Sequence, residues 1–192
     1  SIEVFKPVEK YSDVDVETWI IPGKGANFPR GYEMYKGGQL VAKAICNWAL
    51  VDTVTGKLIA SKDYDMGTYS MDEAPELSIP RRFKIPKELK FQEVESSKVA
   101  MSMIDINMHM NNTVYASKLY DNIDDAEKYF ITSINLRYVH EAPLGSEFKV
   151  YRSDAVDPGE MDCRAEKLVY FYTEVDGLLN LEAAVGLKKV II

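Results

Sequence analysis

The chain has 192 residues, 46% hydrophobic and 28% charged, a globular composition that excludes wholesale disorder. Its 30 acidic and 23 basic side chains leave a net charge of -7, which argues against an electrostatic grip on nucleic acid or on an anionic membrane surface. No run of about 18 apolar residues is present, so no segment reads as a membrane-spanning helix. Cys46 and Cys163 form no CxxC pair and define neither a zinc site nor a disulfide framework, which makes a reducing, cytoplasmic compartment the default.

Apolar-polar alternation begins at once with Ile2 and Val4, as though the chain opened in the middle of a strand, and no secretory h-region precedes it. Residues 13–21 (DVDVETWII) place Val14, Val16, Thr18 and Ile20 on one parity, predicting a half-buried strand. Residues 31–36 and 39–51 are two more strands, joined by Lys36-Gly37-Gly38-Gln39, where glycine supplies the positive φ of a tight hairpin. Thr55-Gly56 turns the chain into residues 57–60. These connections are too short for a crossover helix, so the logic is antiparallel.

Residues 61–95 hold Pro75, Pro80 and Pro86 among interleaved charges with little periodicity and read as a surface linker. The domain boundary falls here: a first unit at 1–75, a linker at 76–95 and a second unit at 96–192. In the second unit, residues 97–110 read as a strand. Asn111 or Asn112 caps a short helix with Tyr115, Leu119 and Tyr120 on its inner side. Four strands follow at 129–140, 146–154, 163–175 and 178–190, the last two joined by the hairpin dipeptide Asp176-Gly177. The pattern alone supports an α+β chain with antiparallel sheet.

The segment Ile104–Met110 (IDINMHM) carries the densest chemistry. In an extended strand Asp105, Asn107 and His109 share one side, and Ile104, Ile106, Met108 and Met110 share the other. A carboxylate, an amide and an imidazole in register form a polar site; a solvated edge-strand face produces the same alternation. Two features favour the site. His109 is one of only two histidines, and the segment runs into a helix N-terminus at Asn111-Asn112, whose N–H groups and dipole favour developing negative charge. Glu141 ends the run INLRYVHE before Pro143; by parity alone it reads as a solvated strand-end acid, and His140 points away from it as a bystander.

The segment Asp105-Ile106-Asn107-Met108-His109-Met110-Asn111-Asn112 resembles the signature of the acyl-acyl-carrier-protein thioesterases, the fatty-acid-releasing enzymes of plants and their bacterial relatives. Leu136-Arg137-Tyr138-Val139-His140-Glu141 is similar to the family segment that contributes the catalytic glutamate. Val16-Glu17-Thr18-Trp19, the stretch from Asn47 to Asp52 and the linker from Ile79-Pro80 to Pro86 resemble the family as well, so the likeness runs over nearly the whole chain. It implies a tandem hot-dog fold, each unit an antiparallel sheet wrapped around a helix. By the same resemblance, the first unit is expected to lack the N-terminal strand and helix with which the family's first hot-dog begins. One strand, one helix and a meander of long strands from residue 96 onward follow hot-dog order. Many family members carry a cysteine after the glutamate; here Ala142 occupies that position, which excludes a cysteine nucleophile there.

The resemblance implies hydrolysis of the thioester that joins a fatty acyl chain to the carrier protein's phosphopantetheine, with acyl carrier protein as partner. Glu141 is then the general base, Asn107 and His109 position the water or the thioester, and Asp105 orients that pair. N–H groups at the start of the 112–122 helix, with Asn111 and Asn112, stand at the oxyanion; direct attack by Asp105 stays open. Met34, Ile45 and Trp48 line an acyl tunnel in the first unit, or are simple core residues. An acidic carrier protein needs a basic patch, and Arg81, Arg82, Lys84, Lys87 and Lys90 form the densest cluster, although a solvated linker has equal claim. A coenzyme-A thioesterase of the same fold and a non-catalytic acyl-binding module are the alternatives. No metal-ligand spacing, phosphate-binding glycine loop or nucleotide fingerprint is present, so no cofactor is expected. Both a monomer and an associated state are compatible with two joined units.

Overall fold

Glycine chemistry sets the first hairpin. In the computed structural model, which describes residues 1–65 and 67–190, Gly37 and Gly38 both take positive φ (+56° and +75°) and join strand β3 (Phe28–Lys36) to β4 (Gln39–Trp48). The chain divides into two units, Ser1–Arg81 and Arg82–Ile192. The first contains β1 (Ile2–Val4), β2 (Asp15–Ile20), β3 and β4 in the antiparallel order β2-β3-β4-β1. Val41 and Ile45 of β4 are buried together with Ile21 and Ile79. The Trp19 indole lies across its cross-strand partner Gly31, where a Cβ would stand 2.6 Å from the ring. Its Nε1–H donates to the Glu73 carbonyl (2.8 Å).

β2 differs from its expectation as a half-buried strand. It is an edge strand paired with β3 along its length and bridged to Met71 at Ile20 alone among the described residues, and Val14 and Val16 remain 38% and 53% exposed. Among the described residues this unit has no α-helix to cover that face, only a 3₁₀ turn at Ser61–Asp63. Glu3 is buried on β1 and accepts hydrogen bonds from the Ser78 hydroxyl and N–H, which returns the Pro-rich segment to the sheet.

The second unit contains β5 (Phe91–Lys98), the helix α1 (Asn112–Asp121), β6 (Tyr129–Tyr138), β7 (Glu147–Ser153), β8 (Lys167–Val175) and β9 (Leu178–Lys189). The antiparallel order is β6-β9-β8-β7-β5. Alternate residues of β9 (Leu181, Ala183, Val185 and Leu187) join Phe148, Val150, Val169 and Phe171 in a core that receives Tyr115 and Leu119 of α1. On the opposite face, Leu168, Tyr170 and Ala184 are covered by Phe83, Ile85, Leu89 and Phe91. β9 is thus buried on both faces, as its nearly continuous apolar sequence requires. Register shifts in β5, in β6 and at Asn180 of β9 add local bends to the sheet. Asp176 and Gly177, both at positive φ, close the β8–β9 hairpin.

Three expectations are corrected. The strand expected over 97–110 ends at Lys98, and a 3₁₀ turn at Met101–Met103 and a tight loop take its place. β5 begins at Phe91, inside the stretch read as a linker. Tyr120, expected on the inner side of α1, is 43% exposed, because Tyr115 and Leu119 share a face at i, i+4 and the next residue rotates away from it. The last two residues of the 96–192 unit lie outside the described residues.

α1 has ten residues, fewer than the roughly 12–15 that an isolated helix needs to persist in water. Its existence rests on tertiary anchors: the burial of Tyr115 and Leu119, and a polar clamp in which Lys118 Nζ and Asn122 Nδ2 donate to the Glu95 carboxylate of β5. Burial pushes the Glu95 carboxyl up, but these two hydrogen bonds, the Lys118 charge and the Ser97 hydroxyl outweigh it and hold the group below its ordinary value of 4.5. A carboxyl whose folded pKa is depressed adds stability that is complete above the unfolded value and is lost as pH falls through the folded one. Thermal unfolding followed from about pH 7 to about pH 3 is therefore expected to show Glu95→Gln less stable than the parent at neutral pH. The gap should close below pH 4.5; a constant gap across that range rules out the clamp as a charged contact.

Candidate active site

The loop after the 3₁₀ turn is a miniature hairpin. Ile104 bridges Met110 antiparallel, the Asp105 N–H donates to the His109 carbonyl (3.0 Å) and the Met108 N–H donates to the Asp105 carbonyl (3.0 Å). Met108 closes the loop at φ +64°, the left-handed position of a three-residue hairpin turn. The Asp105 side chain drives the turn by accepting the Asn107 N–H (2.8 Å), the local side-chain-to-backbone bond with which aspartate competes against extended structure. The one-faced array of Asp105, Asn107 and His109 on a strand is therefore not formed. Ile106, expected on the buried parity, is 96% exposed at the tip.

The returning arm of this hairpin pairs with the segment after β6. Met110 N–H donates to the Ala142 carbonyl (2.9 Å), and His109 bridges Pro143 antiparallel. Met110 and Ala142 are buried in the core, so their chain neighbours His109 and Glu141 turn outward. His109 Nε2 then lies 3.0 Å from Glu141 Oε2, with side-chain exposures of 34% and 71%. His140, one residue earlier, turns elsewhere, its Nδ1 lying 2.7 Å from the Leu179 carbonyl oxygen.

Asn111 follows His109 by two positions and is the N-cap of α1. Its Oδ1 accepts the Thr113 N–H (2.9 Å) and the Thr113 hydroxyl (2.8 Å), and its carbonyl accepts the Val114 N–H (2.9 Å). Two of the first three helical N–H groups are thereby taken, and the Asn112 N–H is left without a partner among the described residues.

A buried network unseen in the sequence lies behind the pair. Asn180 is fully buried in β9. Its Nδ2 donates to the His140 carbonyl (2.6 Å) and to the Tyr115 hydroxyl oxygen (3.1 Å), and its Oδ1 accepts the Thr173 hydroxyl (2.7 Å). Burial raises the Tyr115 pKa, the Asn180 hydrogen bond opposes that rise, and the Glu141 charge adds to it. The phenol is thus held in its protonated form. The only sequence signal for this network is an amide within the apolar run Leu178-Leu179-Asn180-Leu181, and nothing there names its partners.

Met34, Ile45 and Trp48 belong to the first unit: Met34 is half-buried on β3, Ile45 is buried on β4 and Trp48 is 53% exposed at the end of β4. In the second unit, cavities of about 120 and 310 Å³ adjoin Ile123, Asp124 and Arg152 at the C-terminal end of α1. Cys46 is partly buried and Cys163 exposed, both as free thiols. Among the described residues no three His, Cys, Asp or Glu side chains gather as a metal site, and no helix is long and apolar enough to cross a membrane.

Residues 87–171 match the family model of the acyl-ACP thioesterase C-terminal domain. The match is confined to this segment, which is less than half of the chain. It includes the Asp105–Asn112 loop and Glu141. In structure, the chain is similar to an acyl-ACP thioesterase from Bacteroides thetaiotaomicron, with a TM-score of 0.78 at 20% identity, over 97% of this chain and 73% of that one. It is also similar to the 12:0-ACP thioesterase from Umbellularia californica, with a TM-score of 0.75 at 17% identity, over 98% of this chain and 71% of that one. At these identities the likeness establishes the fold. A search of curated proteins by sequence found no match.

The N-cap is open to a direct test. Replacing a hydrogen-bonding N-cap by alanine costs about 1 kcal/mol, whereas aspartate caps as well as asparagine. Urea unfolding is expected to show Asn111→Ala destabilised by about that amount with an unchanged m-value, and Asn111→Asp at the parent's level.

Proposed function

We infer that the chain hydrolyses the thioester of a fatty acyl chain carried by acyl carrier protein, releasing the fatty acid and the free carrier thiol. The observation that carries this reading is the His109–Glu141 pair, assembled at 3.0 Å inside a segment that matches the thioesterase domain. Thioester hydrolysis needs a deprotonated water aimed at the carbonyl carbon and a donor for the oxyanion that develops. Glu141 accepts the water proton as the C–O bond forms. His109 holds that carboxylate and the water in line, and Asn107 at the loop tip contacts the thioester. The Asn112 N–H and the dipole of α1 stabilise the tetrahedral oxyanion. As the C–S bond breaks, the proton passes from Glu141 to the departing thiolate. Asp105 acts on the loop rather than on the carbonyl: its Oδ1 is committed to the Asn107 N–H, which favours attack by water.

The two units are read as tandem hot-dogs, with residues 96–192 catalytic, 76–95 the linker, and 1–75 the acyl-binding unit to which Met34, Ile45 and Trp48 contribute. The free thiols Cys46 and Cys163 suit a reducing, cytoplasmic setting. Carrier docking is assigned to the linker cations. Arg81, Arg82, Lys84, Lys87 and Lys90 are all exposed, whereas the intervening Phe83, Ile85 and Leu89 are fastened to the outer face of the second unit's sheet. The segment is therefore pinned by its apolar residues and presents its charges outward, as an acidic partner requires.

Release of carrier thiol from a long-chain acyl-carrier substrate is the primary assay. Glu141→Gln should lower kcat by about 10²–10⁴-fold, the typical worth of a general base; turnover within a few-fold of the parent removes Glu141 from that role. Reversing Arg81 and Arg82 to glutamate is expected to raise KM for the carrier-bound substrate at least about fivefold, and to leave KM for the same acyl group on coenzyme A unchanged. An equal effect on both substrates, or on neither, moves the docking surface elsewhere.

A further inference from the structure

Asn180 is separated by 40 residues from His140 and by 65 from Tyr115, yet it bonds to both. Both hydrogens of its amide are used: one on the carbonyl of the residue just before Glu141, the other on the hydroxyl of a residue in the first half of α1. Thr173 determines which way the amide points, because its hydroxyl donates to Oδ1 and leaves Nδ2 facing the two acceptors. The Asn180 backbone carbonyl in turn accepts the Val139 N–H (2.8 Å) and the His140 N–H (3.2 Å). Val139 and His140, the two residues between β6 and Glu141, are thus gripped by Asn180 of β9 rather than continued as a ladder of β6, which ends at Tyr138. Tyr115 extends the grip with edge-on contacts to Tyr138 (5.4 Å) and Phe148 (6.0 Å).

Glu141 itself is 71% exposed, and among the described residues the one hydrogen-bond-range partner of its side chain is His109. Its direction must therefore be set by the backbone behind it. His109 is set from the other side, by the bond of Met110 N–H to the Ala142 carbonyl and, two residues on, by Asn111 at the start of α1. Asn180 has a side-chain bond to both supports, to the His140 carbonyl and to the Tyr115 hydroxyl.

We propose that Asn180 is a positioning residue for the catalytic pair: through His140 and Tyr115 it holds the Glu141 backbone and the start of α1 in one frame, and so fixes the approach of Glu141 to His109. This rests on the thioesterase reading of that pair.

The test uses the full chain and three variants. Asn180→Ala removes the hub. Thr173→Val removes only the hydroxyl that orients it, and carries the test if the first variant does not fold. Thr132→Val serves as control: its hydroxyl is equally buried but donates to Asp162, outside the network. The first readout is independent of turnover. The ring resonances of His109, identified with His109→Gln and calibrated with Glu141→Gln, are recorded at one pH. In Asn180→Ala, and to a smaller extent in Thr173→Val, they should move toward the Glu141→Gln positions, while Thr132→Val stays with the parent. Unmoved resonances in both network variants overturn the proposal. The second readout is kinetic, at a temperature where each variant is folded by circular dichroism. Asn180→Ala should lose about tenfold or more in kcat with KM held within about twofold, the mark of a misplaced reacting group. An equal loss in Thr132→Val overturns the proposal as well. A folded parent without turnover, or turnover indifferent to Glu141→Gln, refutes the thioesterase reading instead; the resonances then still decide whether Asn180 sets the pair.

Discussion

One backbone hydrogen bond, from Met110 N–H to the Ala142 carbonyl, fixes the geometry on which the proposed chemistry depends. It joins two segments 32 positions apart in the chain, and it is sheltered because both residues are core residues with almost no exposed surface. Burying the Met110 side chain contributes about 1.5–3 kcal/mol. A solvent-accessible polar contact of the His109–Glu141 kind is worth roughly 0–1 kcal/mol, because water competes for both groups and ordering the side chains costs entropy. The comparison sets the direction of cause. The polar pair does not hold the loop in place; the buried residues beside it hold the loop, and the pair follows.

The loop also stores strain. Met108 sits at φ +64°, which costs a residue with a Cβ about 1–2 kcal/mol. Glycine would adopt the angle freely, but here a methionine does so. The Asx bond from Asp105, the two backbone bonds across the loop and the Ile104–Met110 bridge together over-determine the turn. Strained backbone of this kind persists where its surroundings leave no alternative, and it delivers His109 at a fixed height beside the start of α1.

Those features were legible in the sequence to different depths. The Gly37-Gly38 and Asp176-Gly177 hairpins could be read because positive φ at both central positions has a chemical signature. The N-cap of α1 could be read for the same reason, as an amide before a helical pattern. The segment 104–110 could not, because Ile, Ile, Met and Met at every second position satisfy a strand template whether or not they are buried. Ile106 at 96% exposure shows that the alternation there was never a burial pattern. The competing signal was Asp105 two residues before Asn107, an Asx turn that folds the segment back on itself despite its four apolar residues. The Asn180 network was out of reach for a different reason: its partners are set by the register of β6, β8 and β9, which single-sequence periodicity does not specify.

Separating the support from the reacting groups has a consequence for how such a site can change. His109 and Glu141 face outward from residues that the core already holds, and neither is itself a buried core residue. Asn180, Thr173 and Tyr115 are the reverse case. Each is buried, and removing one partner leaves a donor or acceptor without water to replace it, at about 1–3 kcal/mol per orphaned group. In a chain whose whole stability is on the order of 5–15 kcal/mol, such residues cannot vary freely even if catalysis tolerates the change. The exposed pair is therefore free to be tuned for its substrate, whereas the buried hub ties the geometry of that pair to the stability of the fold. That asymmetry follows from where water reaches: it screens the contact at the surface and is absent from the network that aims it.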